Sequence, residues 1–130
     1  MAITKTSSLT TLADKLVVNL SADTDASNNV TGASSGSVYI IEIDATKGVA
    51  TTDESVCYLK IADASSATGG GGSSTVPVLV LPAPIGVVTK YVIKGGWAFT
   101  AGLSYWCVTS STLAGDTSPT ADIKVSIISS

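Results

Sequence analysis

Alternating acidic oxygens, paired carboxylates and a cluster of aromatic rings are the features of this 130-residue chain whose types and spacings suit chemistry. Asp23, Asp25 and Ser27 stand on alternate positions, as the oxygen ligands that open a calcium loop do. Asn28 then takes the place where such a loop needs Gly, and Ser34 the place of its bidentate Glu, so the segment reads as an acidic, solvated loop. Glu42 with Asp44, and Asp53 with Glu54, imitate the carboxylate pair of a glycosidase. Both pairs fall where strands give way to turns, and charged side chains there commonly meet water. Serine is abundant, but with no His a nucleophilic serine needs a Lys base, and no Ser lies three residues before a Lys. Gly69 to Gly72 resemble a phosphate cradle until Ser73, Ser74, Thr75, Val76 and Pro77 follow in place of a helix and its Lys. A flexible loop is the better reading. Trp97, Phe99, Tyr105 and Trp106 lie within ten residues and suit either a sugar-stacking platform or a core with a subunit contact.

Absent side chains prune function further. All seven basic residues are Lys, so the chain lacks both the commonest general base and the planar fork that grips phosphates and guanine edges. A net charge of -3 repels a polyanion, which argues against nucleic-acid binding. Neither an enzyme activity nor a cofactor or metal is expected. The longest apolar run, Val76 to Val88, has 13 residues and three prolines, too short for the ~20 residues of a membrane helix. The N-terminus carries no apolar signal core, so synthesis in the cytoplasm is expected. Asn19 and Asn29 match the glycan-acceptor pattern, a match that a chain rich in Ser and Thr produces by chance. Cys57 and Cys107 read as two buried thiols, because a bridge requires a backbone proximity that spacing does not supply.

The elements that position these residues are strands and turns. The strongest helical spacing, Ser8 to Leu16, supports one turn at most. Strands are expected at Lys15 to Leu20, Ser37 to Asp44, Val56 to Ala62, Val76 to Leu81, Val87 to Ile93, Trp97 to Thr100, Leu103 to Thr109 and Ala121 to Ile128. A long polar loop is expected from Ser21 to Ser37. Cys57, Leu59 and Ile61 should face inward, as should Ala121, Ile123, Val125 and Ile127. Ser37 to Asp44 and Val56 to Ala62 are expected to pair antiparallel, with Tyr39, Ile41 and Ile43 on one face of the first. Pro77, Pro82 and Pro84 confine their strand to an edge. Tyr105 and Trp106 are neighbours on a strand and face opposite ways, so one belongs to the core and the other needs a separate cover. The whole reads as an all-β, antiparallel β-sandwich, jelly-roll-like, in a single domain of seven or eight strands. Residues 1–13 form an N-terminal arm and 14–130 the sandwich.

A chain that is 45% hydrophobic and only 13% charged must hide apolar surface, and a partner subunit is the natural place. The succession VYIIEID, VCYLKIAD, VPVLVLPAPIG, GGWAFTAGLSYWCVTSS and TSPTADIKVSI resembles small structural proteins of tailed phages, the capsid decoration or cement proteins and head fibres. That resemblance implies a β-sandwich subunit that trimerises on the outer surface of a capsid. It would clamp neighbouring copies of the major capsid protein, with the N-terminal arm as a capsid contact. Trp97, Phe99, Tyr105 and Trp106 are the expected partner-binding residues. The alternative is a receptor- or carbohydrate-binding module of a head or tail fibre, using the same rings for stacking.

Overall fold

β-Branched and aromatic residues at alternate positions give strands in which one side of the backbone is apolar, and such strands bury that side only by stacking sheet on sheet. The computed structural model describes residues 3–6, 15–22, 35–64, 76–112 and 117–130. These hold eight strands and no helix: β1 (Ile3–Thr6), β2 (Lys15–Ala22), β3 (Gly36–Asp44), β4 (Val56–Asp63), β5 (Leu79–Pro84), β6 (Val88–Phe99), β7 (Leu103–Val108) and β8 (Ile123–Ser129). They form two antiparallel sheets, ordered β1-β2-β8-β3-β6 and β5-β4-β7. The 8–14 part of the one-turn helical segment, the calcium-like loop and the glycines 69–72 lie outside the described residues. Ile3–Thr6 of the expected N-terminal arm runs as a strand beside β2.

One core joins the sheets. Ile41 and Ile43 of β3 and Ile123, Val125 and Ile127 of β8 meet Cys57, Leu59 and Ile61 of β4 and Leu103, Tyr105 and Cys107 of β7. The alternation anticipated in β4, and in β8 from Ile123 onward, is the one observed; Ala121, expected inward, precedes the strand and is half-buried. Each fully buried aliphatic side chain contributes roughly 1.5–3 kcal/mol.

Two expectations about strand pairing are corrected. β3 and β4 are not partners: β3 lies between β6 and β8, while β4 lies between β5 and β7. The connection between them crosses from one sheet to the other. The expected strands Val87 to Ile93 and Trp97 to Thr100 are one long strand, β6. Gly95 and Gly96 both sit at φ 80°, a conformation that glycine adopts without Cβ clash. They bulge the strand instead of ending it: Val38 pairs with Trp97, yet Ile40 already pairs with Val92. β3 carries an extra residue of its own here, since Val38 pairs with Ser129 of β8 and Ile40 with Ile128, so Val38 joins Ile41 and Ile43 in the core, and Tyr39, expected on the face of Ile41 and Ile43, is only half-buried. A Cβ on Gly96 would stand 2.8 Å from Cε1 of Tyr39, so the ring lies directly against this glycine.

β5 begins three residues later than expected and runs through Pro82 and Pro84. It is the edge that the prolines demanded, bonded to β4 alone among the described strands. At the far end of β4, Asp63 holds the β6–β7 turn: its carboxylate accepts the N–H groups of Thr100 (2.9 Å) and Ala101 (2.8 Å) and the Thr100 hydroxyl (3.2 Å). These bonds favour the charged form and hold the Asp63 carboxyl below the usual range.

Candidate interaction surface

The four aromatic residues do not form an open platform. Phe99 and Tyr105 lie in the shared core, and Trp97 packs half-buried against it, its ring 6.3 Å from that of Phe99. Tyr105 and Trp106 do face opposite ways, as adjacent strand residues must. The separate cover that the second ring needs is supplied by its own chain, within which Trp106 is only 2% exposed. It forms a second apolar cluster with Ala62 and Val108, against which Tyr58 and Ala64 pack.

That cluster belongs to the outer face of the β5-β4-β7 sheet, and this face changes character across its width. On the β7 side it is closed. Ser104, Trp106 and Val108 are buried, Ser104 donates its hydroxyl to the Ala64 carbonyl at 2.7 Å, and Lys60, also buried, donates its ammonium to the Thr112 carbonyl. Burying an ammonium costs free energy unless acceptors replace water, so the Thr112 contact is a condition of this closure. Toward β5 the face opens. Register places Val56 beside Pro84, Tyr58 beside Pro82 and Lys60 beside Val80. Leu79, Leu81 and Ala83 carry the inward side of β5, which leaves Val80, Pro82 and Pro84 outward. Pro82 and Pro84 are exposed, Val78 is 54% exposed and Val76 64%. Apart from the buried Lys60, no charged residue among the described residues stands on the strands of this face.

The opposite face, outside the larger sheet, is mixed. Val92, Ile40 and Ile128 form an apolar row in register. The next row holds Lys90, Glu42 and Ser126, with Lys90 Nζ 3.7 Å from Glu42. Beyond it a cleft of about 170 Å³ is lined by Asp44, Thr46, Lys47, Asp122 and Lys124. Its charges are matched locally. Thr46 donates both hydroxyl and N–H to Asp44 and keeps that carboxyl below its usual range, while Lys47 stands 3.7 Å from Asp122. Glu54 accepts from the N–H and hydroxyl of Thr120, both at 3.1 Å. Glu42, Asp44 and Glu54 of the paired carboxylates thus spend their oxygens on local turns and neighbours. Among the described residues no three of His, Cys, Asp and Glu gather as a metal site.

No family model, curated protein or solved structure matches this chain. The candidate site therefore rests on its own chemistry, and the uncharged, open side of the smaller sheet is the candidate contact surface. Strand alternation carried a signal for it: Val78, Val80, Pro82 and Pro84 share one parity, but a strand ended at Leu81 hides the last two. The burial of Lys60 had no such signal, since a lysine between apolar strand positions reads as solvated.

Proposed function

We propose that the chain is a structural subunit of a virion, a capsid decoration (cement) protein that oligomerises on the outer shell and stabilises contacts between major capsid proteins. The observation that carries this reading is the uncharged apolar surface of Val56, Tyr58, Val78, Val80, Pro82 and Pro84, open on a subunit that already has a complete core. Such a surface works by burial, without chemistry on a substrate. The order of strands supports it. The last strand, β8, returns between β2 and β3, and the chain crosses between the sheets from β3 to β4, β5 to β6, β6 to β7 and β7 to β8, giving the rows β2-β8-β3-β6 and β7-β4-β5. That order suits a jelly roll, an architecture used by viral capsid and lectin domains, and the step from fold to capsid is an analogy of architecture.

Light scattering at micromolar concentration tests the oligomer, with an expected mass about three times the 13.0 kDa subunit. Sedimentation with phage heads assembled without the protein tests the capsid contact. A monomer that fails to sediment with such heads refutes the proposal. The carbohydrate-binding alternative rests on Trp97, the one ring of the four that is not buried. Quenching or enhancement of tryptophan fluorescence by host polysaccharide would favour it.

A further inference from the structure

Cys57 and Cys107 lie on neighbouring strands, both on the inward face and both fully buried. Cys107 stands opposite Leu59, so Cys57 is its diagonal neighbour, one same-face step along β4. We propose that these two residues are a peroxide-oxidisable pair, converted by hydrogen peroxide into an intramolecular disulfide that ties β4 to β7 inside the core. The pairing is independent of the virion reading.

Three observations support the pair. Diagonal cross-strand neighbours have Cα atoms about 7–8 Å apart, just beyond the ~4.4–6.8 Å of a relaxed bridge, so a small approach of the strands suffices. The thiols already interact: a hydrogen bond with Cys107 holds the Cys57 thiol below its ordinary range against the opposing effect of burial. Cys57 is also the more approachable of the two. It lies beneath β5, donating its thiol to the Ala83 carbonyl at 3.3 Å, and local opening of that edge strand uncovers it.

The chemistry balances with peroxide as the two-electron oxidant. The Cys57 thiolate attacks one peroxide oxygen, the O–O bond breaks, and a sulfenic acid forms as the first water leaves. The Cys107 sulfur then attacks the Cys57 sulfur and the S–O bond breaks. Hydroxide departs with the Cys107 proton as the second water. Two thiols are oxidised and one peroxide is reduced. Because the bridge draws the strands together, it is expected to be readily reducible.

The test treats the folded full chain with hydrogen peroxide and measures intact mass, followed by tryptic digestion without reductant. Formation of the disulfide lowers the mass by about 2 Da. With lysines at 47, 60, 94 and 124, digestion leaves the peptides Gly48–Lys60 and Gly95–Lys124 linked to each other. Dithiothreitol should separate them. In Cys107→Ser the link disappears and dimedone instead labels Cys57. Unmodified thiols, oxygen added to either cysteine of the natural chain without a link, or a link between two chains would each overturn the proposal. Because the decisive link is read on the natural sequence, the inference stays falsifiable even if the variant does not fold.

Discussion

Ile127 and Ile128 are adjacent, chemically identical and on opposite sides of the same sheet, so truncating each to Ala measures what the architecture assigns to a face. Ile127 is fully buried, pairs with Ile41 and Val17, and belongs to the core between the sheets. Ile→Ala removes three carbons; at ~0.8 kcal/mol for each buried methylene this loses about 2.4 kcal/mol of transfer free energy. The cavity left in a core that relaxes incompletely raises the cost to about 3–4 kcal/mol. Ile128 is half-buried in the outer row beside Ile40, and its truncation should cost about 1 kcal/mol. With a urea m-value near 1.5 kcal/mol/M, Ile127→Ala should lower the unfolding midpoint by roughly 2 M and Ile128→Ala by well under 1 M. Urea titrations in dilute solution provide the comparison. Equal costs there, or a larger cost for Ile128→Ala, would refute the assignment of faces, because a slip of one residue exchanges the two positions.

Three further outcomes follow from local contacts. Gly96→Ala should destabilise more than Gly86→Ala, since both backbones have positive φ but only the first new Cβ meets an atom, Tyr39 Cε1 at 2.8 Å; thermal melts of the two variants provide the check. The Asp63 carboxyl is held below its unfolded value, so the stability it supplies is complete above the ordinary carboxylate pKa and is lost as pH falls through the folded value. Asp63→Asn should therefore flatten that part of the acid-side stability profile, and an unchanged slope would show that the turn does not depend on the charge. Burial raises the Tyr91 phenol, whose O–H donates to the Pro82 carbonyl; its contribution is complete below the ordinary phenol pKa and declines as pH rises toward and through the folded value. Tyr91→Phe should cost about 1 kcal/mol at neutral pH, read by urea titration, and remove that part of the alkaline decline.

Alternation made the inward sides of β4 and β8 legible, because period-two burial is written directly into Cys57, Leu59, Ile61 and Ile123, Val125, Ile127. Pairing was less legible. Nothing in the alternation of β3 and β4 specifies a partner, and their nearness along the chain suggested a hairpin where the chain changes sheets. Gly95-Gly96 illustrates a second limit: a glycine pair marks positive φ but does not distinguish a turn from a bulge. For the candidate surface, counting aromatic residues pointed mostly to groups that the fold buries. Large rings are the groups that a core of this size consumes first, and Phe99 and Tyr105 were consumed there. The open surface falls instead to Val and Pro, whose exposure follows from strand parity and edge position.

The edge of β5 also limits how such subunits can multiply. Residues 82 and 84 supply no amide hydrogens, and the carbonyl of the first is already occupied by Tyr91. An incoming strand would find few hydrogen-bonding groups along this border, so runaway strand-by-strand growth into fibres is blocked there. Crowding many copies at high local density is then compatible with discrete subunits, and contact on this side must be made by side chains, where its strength and geometry can be tuned one residue at a time.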